Sequence, residues 1–312
     1  MIITLTGTTA GGIEQAILRA RSNVGVPTGL VFTMIAVAEA CDHDEVVAAC
    51  VDAGREHPSR ILVVSTADPH GESRLDAEIR LGEEVPGDLI ALRLHGELAH
   101  HADSVLLALL LPDSPVVVWW PGTAPDDPGA DPVGALALRR ITDAMGTPEP
   151  IPALLARAGS YSPGDTDLTW TRLTRWRGLL AAATDAYPSP VTAAEVRGEP
   201  GNAAALLLAA WLDCRLDAPV ALVDDGDGIG ITGVVLHTEA GDLRLERSDG
   251  SMAEFSAPGL SRRIVALPRR DLNALITEEL RRLEEDAAYS ATMARLALRS
   301  SSAPDPGSEE AR

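Results

Sequence analysis

Apolar residues recur with two periods along this chain, and the changes of period divide it into elements. Residues 9–22 place Ile13, Ile17 and Leu18 on one side of a helix, with Arg19 and Arg21 on another. Residues 29–38, GLVFTMIAVA, are a nearly continuous apolar run suited to a strand buried on both faces. A helix over 42–55, capped by Asp42 and carrying Val46, Val47, Ala49 and Cys50, leads to a strand over 61–65. Strand, helix, strand is a crossover unit, so part of the sheet is expected to be parallel.

Residues 74–81 and 88–94 alternate polar and apolar positions around the turn-forming GEEVPGD, the pattern of an antiparallel pair. A helix is expected over 97–111 and another buried strand over 115–119. After a Pro/Gly/Asp loop, Asp131 and Pro132 have the character of a helix start, which predicts a helix through Met145. The loop TPEPIP then marks a candidate boundary near residue 150. Past the break at 187–202 an apolar helix spans 203–215. Short runs at 219–223, 229–237, 241–247, 251–256 and 262–267, separated by turn signals, predict an antiparallel meander. Asp271 caps a final helix that continues toward Leu298, and the tail from Ser300 is too polar and Pro-rich to fold.

The stretch GDTDLTWTRLTRWR, residues 164–177, organises the rest together with PVVVWWPG at 115–122. Of the chain's 5 Trp, Trp119, Trp120, Trp170 and Trp176 fall in these two segments. From Asp167 onward Trp170, Leu173, Trp176 and Leu180 share a helical stripe, with Arg172 and Arg175 off it. Asp165, Thr166 and Asp167 stand where a helix start takes capping oxygens and negative charge. Two Trp on one stripe are the usual content of a core. The alternative is that the Arg shoulder and a Trp meet a partner protein.

Composition narrows the chemistry. The net charge of −20 repels phosphate backbones, so nucleic acid and anionic membranes are poor partners. All 26 basic residues are Arg, so a P-loop lysine and any Schiff-base lysine are excluded. The beginning of the chain has no signal-peptide pattern and no apolar stretch is long enough to span a bilayer, so a cytoplasmic place is expected. The 3 cysteines, Cys41, Cys50 and Cys214, are sparse and carry no CxxC spacing, which argues for reduced thiols.

No catalytic, cofactor or metal constellation is complete. DDGDG at 224–228 lacks the ligand spacing of a calcium loop, and its glycines precede a β-branched run instead of the helix a dinucleotide turn needs. Glu97, His100 and His101, with His95 upstream, lack HExxH spacing. Arg55, His57 and Arg60 in REHPSR lie in a helix-to-strand loop, where they either bind an anion or pair with neighbouring acids. Arg139 and Arg140, with Asp143, pose the same alternative, intrahelical pairing being favoured.

Taken together, REHPSR, LLLPDSPVVVWWPG, DPVGALALRRITDA and GDTDLTWTRLTRWRGLLAAA resemble the glucose-6-phosphate dehydrogenase assembly protein family, OpcA, over residues 25–298. The Lys-free, Ala- and Arg-rich composition resembles that of a high-GC actinobacterium. The resemblance implies a non-catalytic factor that binds glucose-6-phosphate dehydrogenase and favours its active oligomer or conformation, with no catalytic residue to transfer. Cysteine-based regulation is associated with such factors, and the placement of Cys41, Cys50 and Cys214 does not favour it here.

The expectation is a mixed α/β protein. An N-terminal mixed-sheet domain (1–150) is followed by a C-terminal antiparallel meander with helices (151–299) and a tail (300–312). The rival from another class is an enzyme or sugar-phosphate- or nucleotide-binding protein that uses the Arg pairs as an anion cradle. A third is a scaffold that binds the dehydrogenase without altering its kinetics.

Overall fold

The computed structural model describes residues 1–21, 30–39, 43–56, 58–82, 85–226, 228–247 and 249–302. Strand β1 (Ile2–Thr8) precedes α1 (Ala10–Arg21), where Ile13 and Ile17 are buried. Leu18 is exposed instead of sharing their face, because one residue past Ile17 lies about 100° round the helix. β2 (Thr33–Ala38), α2 (His43–Glu56) and β3 (Ser59–Asp68) form the expected parallel crossover. Asp42, the expected cap, lies outside the described residues. β4 (Arg74–Gly82) and β5 (Val85–His95) are the expected antiparallel pair, and β4 buries every second residue from Leu75 to Leu81. The helix expected over 97–111 is shorter, a 3₁₀ turn at Gly96–His101 followed by α3 (Ala102–Leu107). β6 (Val116–Trp119) is the expected buried strand.

The helix expected over 131–145 does not form. Asp131 does cap, accepting from the Val133 and Gly134 amides, but only a 3₁₀ turn at Gly134–Leu136 follows. A Cβ at Gly134 would collide with the Pro128 carbonyl oxygen, so the loop folds back tightly where the helix was expected to propagate. Residues 139–142 then become the buried strand β7 (Arg139–Thr142), parallel to β6. Local helix propensity loses here to a tertiary site that neutralises two buried arginines.

α4 (Pro150–Gly159) forms where a loop was read. The DTD expected to cap a helix is β8 (Asp165–Asp167), paired with β7, and the helix after it divides into α5 (Leu168–Arg172) and α6 (Thr174–Ala186). Gly164, at φ +94°, makes the turn into β8. β9 (Val191–Gly198) occupies the expected break, and α7 (Ala203–Arg215) is as expected. β10 (Val220–Asp224), β11 (Ile231–Thr238), β12 (Gly241–Arg247), β13 (Met252–Ser256) and β14 (Arg263–Ala266) match the five expected runs. Asp271 accepts from the Ala274 amide and caps α8 (Leu272–Glu279), which stops before α9 (Ala287–Ser302) begins at a second cap, Asp286. α9 thus extends past Ser300, and residues 303–312 lie outside the described ones.

The chain divides into two compact units. The first comprises Met1–Gly146, Gly164–Leu168 and Asp271–Glu285. Its sheet runs β1-β4-β5-β3-β2-β6-β7-β8. From β5 to β8 every neighbour is parallel, and β4 and β1 add antiparallel strands at one edge. Numbered by their succession in the chain, the six parallel strands stand in the 3-2-1-4-5-6 order of a doubly wound sheet. α2 and α8 cover one face over Met34, Val63, Val117 and Trp119. α1 and α3 cover the other over Ile35, Leu62, Ile90 and Trp120.

The second unit comprises Thr147–Pro163, Thr169–Arg270 and Asp286–Arg312. Its sheet runs β10-β9-β11-β12-β13-β14. β11 to β14 form the expected meander, but β10 pairs with β9 in parallel through α7 and makes no hairpin with β11. α6 packs Leu180 and Ala183 near Leu236, Leu243 and Leu245 of the sheet, and α7 is buried nearly all round, which accounts for its uniform apolarity.

Candidate functional site

The four tryptophans of the organising segments are buried. Trp119 and Trp120 are successive residues on opposite faces of the first sheet, as strand geometry requires. Trp170 and Trp176 are 1% and 2% exposed, so they are core residues of the second unit and present no surface to a partner. Trp170 Nε1 donates to Asp286 at 2.8 Å, and the Arg177 guanidinium stacks on its ring at 3.5 Å. Arg172 is half-buried, and Arg175 is exposed.

The arginines expected on rims separate in the same way. Arg55 is exposed at the end of α2, 3.4 Å from Asp52, and His57 lies outside the described residues. Arg60 is 3% exposed; it donates to Asp88, Glu14 and the Leu109 carbonyl. Arg139 donates to Glu279 at 3.0 Å and to the Glu284 carbonyl at 2.7 Å. Arg140 pairs with Asp165. Asp167 is fully buried and accepts from the Thr142 hydroxyl at 2.6 Å and the Ala144 amide at 2.9 Å, a strand-end tie in place of the expected helix cap. These side chains meet acids and carbonyls of their own unit, not an anion from solution, and the intrahelical pairing expected for Arg139 and Arg140 is replaced by pairing across the sheet.

Glu279→Gln is expected to cost about 2 kcal/mol, because it strips the charge from the buried partner of Arg139. Urea unfolding at pH 7 measures it, and a cost under about 0.5 kcal/mol would show that the pair does not hold α8 to the first sheet.

One concave site was not legible in the sequence. In a doubly wound sheet ligands bind outside the carboxyl ends of the strands, where the strand order reverses. Here that point lies between β2 and β6. A cavity of about 240 Å³ opens there, lined by Val37 and Ala38 at the end of β2, Ser65 and Thr66 in β3, Leu94 in β5 and Trp120 just after β6. His100, Asp103 and Asp131 complete its polar lining. Ser65 Oγ lies 2.9 Å from His43 Nδ1, and burial together with Arg93 holds the His43 imidazole below its usual pKa, in the neutral form. Residues 38–42 read AEACD with no glycine, and α2 opens with Asp44 and Glu45 in its first turn. Neither feature suits a phosphate. A switch point follows from strand order, which no local pattern encodes, and the usual glycine signal is missing.

On the second sheet His237 lies between Asp242, Nδ1 to Oδ1 2.8 Å, and Glu195, Nε2 to Oε1 3.3 Å. The hydrogen bond with Asp242, reinforced by Glu195, raises its pKa above 6.5 against a smaller opposing effect of burial. Folding therefore favours the imidazolium, and this stabilisation is full below pH 6.5 and fades as pH rises through the elevated folded pKa. His237→Gln is expected to lower the urea midpoint at pH 6, and the gap to close as pH rises above 6.5 through the elevated folded pKa; with a third of the ring exposed the gap stays below about 1 kcal/mol. A gap that widens with pH would refute the assignment.

Cys50 is fully buried, which pushes its thiol up to about 12. Burial also raises Cys214, whose Sγ donates to the Ala291 carbonyl at 3.5 Å. Neither is a thiolate near neutral pH. Cys41 lies outside the described residues. Among the described residues no group of three or more His, Cys, Asp or Glu has metal-site geometry, and no helix is long and apolar enough to cross a membrane.

A doubly wound sheet with no glycine at residues 38–42, accompanied by a second unit on a six-stranded mixed sheet, defines a mixed α/β protein. The family is shown by sequence. Residues 51–159 match the glucose-6-phosphate dehydrogenase subunit N-terminal domain and residues 163–293 match its C-terminal domain, so the chain belongs to the OpcA glucose-6-phosphate dehydrogenase assembly family. Among curated proteins no significant match is found. Solved structures that align over most of the chain are distant oxidoreductases. A 3-ketoreductase from Actinomadura kijaniata, in complex with TDP-benzene and NADP, has 10% identity and TM-score 0.47, covering 86% of this chain and 95% of that one. An NAD-binding oxidoreductase from Klebsiella pneumoniae has 8% identity and TM-score 0.43, covering 86% and 95%. An oxidoreductase from Sinorhizobium meliloti has 11% identity and TM-score 0.37, covering 88% and 90%. At these scores the likeness carries no inference about activity.

Proposed function

We propose that this protein binds glucose-6-phosphate dehydrogenase and shifts it toward its active oligomer or conformation, without itself transferring hydride. The observation that carries this reading is the pair of family matches, in order, over most of the chain. Activation requires only that the active form be bound better than the inactive one, and a tenfold preference is about 1.4 kcal/mol. The exposed cations Arg55 and Arg175 are the accessible remnants of the expected Arg surface, and they are the anchors of this reading. A cytoplasmic place in an actinobacterial cell, beside the dehydrogenase, belongs to the same proposal.

The test measures dehydrogenase activity and elution volume with and without this protein, using the dehydrogenase of the same organism. Activity is expected to rise, the two proteins to co-elute, and Arg175→Glu to raise the half-activating concentration about tenfold while leaving the melting temperature in place. Neither activation nor co-elution at micromolar concentrations would overturn the reading. Co-elution without a change of rate would identify a scaffold instead.

A further inference from the structure

The cavity at the strand-order reversal has a composition that selects its ligand. Polar groups of three kinds, the Thr66 hydroxyl, the carboxylates of Asp103 and Asp131, and the His100 imidazole, line the same space as the Trp120 ring. Carboxylates and neutral hydroxyls accept from and donate to alcohol groups, and an aromatic or aliphatic wall packs against the C–H face of a saturated ring. Pockets for drug-sized ligands run to about 300–1,000 Å³. At about 240 Å³ this cavity is of a size for a single ring.

Charge decides against a phosphorylated ligand. No arginine is among the described lining residues, and the chain has no lysine to supply one. The carboxylates of Asp103 and Asp131 line the cavity, and Asp44 and Glu45 occupy the first turn of α2 where a phosphate would need bare amides. The buried cation of β3, Arg60, stands at the opposite end of that strand and is committed to Asp88 and Glu14.

From this we infer that the first unit binds an unphosphorylated monosaccharide in the crevice between the ends of β2 and β6. Asp103 on α3 accepts from ring hydroxyls, and the Trp120 ring packs against the sugar's C–H face. Thr66 stands at the solvent mouth. Binding is read on this chain alone, without the dehydrogenase.

Isothermal titration of the full chain with D-glucose, D-ribose, D-glucose 6-phosphate and NADP⁺ tests the inference. For a ligand of this size with ordinary efficiency, saturable binding of one of the two free sugars is expected with Kd on the order of 1 mM. Asp103→Asn is expected to weaken it about tenfold, and Thr66→Phe, which fills the mouth from an exposed position, to abolish it, with the parent melting temperature retained in both. Should Thr66→Phe unfold, Asp103→Asn and the phosphorylated ligand still decide. No heat from either sugar at about 20 mM, well above that Kd, would overturn the site. So would binding of glucose 6-phosphate or NADP⁺ as tight as that of the free sugars, or sugar binding that both variants leave unchanged.

Discussion

Asp88→Ala is expected to lower the unfolding free energy by about 3–5 kcal/mol and the melting temperature by about 10 °C. The carboxylate is fully buried at the start of β5, and its Oδ2 accepts from Arg60 Nε at 3.2 Å and Nη2 at 3.1 Å and from Arg21 Nη2 at 2.5 Å. Removing it strands cations. Arg21 keeps a third of its side chain exposed and turns to water, but Arg60 is 3% exposed and retains only Glu14 and the Leu109 carbonyl. The cost is therefore chiefly that of an uncompensated buried charge. Replacing the pair together, Arg60→Met with Asp88→Leu, is expected to restore most of the loss, because the charges then left over, Arg21 and Glu14, each keep about a third of their side chain exposed and turn to water. Urea unfolding of the single and double variants measures both, and a double variant as unstable as Asp88→Ala would show that packing, not charge, is at stake.

Trp170→Ala is expected to cost about 3–5 kcal/mol, the range for deleting a buried aromatic. The ring is 1% exposed and lies between the Arg177 guanidinium at 3.5 Å and Tyr289, whose centroid is 5.5 Å away. Its Nε1 bond to Asp286 connects this cluster to the cap of α9. Burial alone would raise the Asp286 carboxyl, but the hydrogen bonds from Trp170 and from the Tyr289 and Ala288 amides, with Arg177 nearby, outweigh it and hold the group below its usual 3.8. Trp170→Phe keeps most of the packing and removes this donor, at about 2 kcal/mol. The folded pKa of Asp286 is depressed, so the stability it contributes is present above 3.8 and is lost as pH falls through the lower folded value. The gap between the parent and Trp170→Phe is therefore expected to narrow between pH 7 and pH 3. A gap that is constant over this range would place the whole effect in packing. Trp170 is a core residue, 1% exposed, so a Trp170 variant is expected to report folding and not a surface.

Elements whose burial is written in their own residues were legible without the structure. β2 and β6 are apolar on both faces, β4 alternates, and α7 is a continuous apolar run. Asp271 caps α8 as its position predicts. The errors gather where a polar or charged segment is buried by partners distant in sequence. ALALRRITDA has helix-forming residues and a helix-start signal before it, yet Arg139 and Arg140 enter a strand because Glu279 and Asp165 receive them there. The DTD of β8 has the look of a helix cap for the same reason, since Thr142 and Ala144 accommodate Asp167 in the strand. Both strands stay silent in a reading of periodicity, because their pairing energy comes from residues 23 to 140 positions away.

The candidate site divides along the same line. The identities of the Trp and Arg residues, the absence of lysine and the family motifs belong to the sequence by itself, because they are matters of composition and order. Which of those residues reach solvent was decided by the tertiary structure. Arg55 and Arg175 are exposed while Arg60, Arg139 and Arg140 are spent on internal acids. The crevice between β2 and β6 exists only through strand order, which places β6 beside β2 although three strands intervene in the chain. Periodicity records whether a residue is buried, and strand order is set by which buried faces fit together. That fit is a sum over long-range contacts, and no local window contains it.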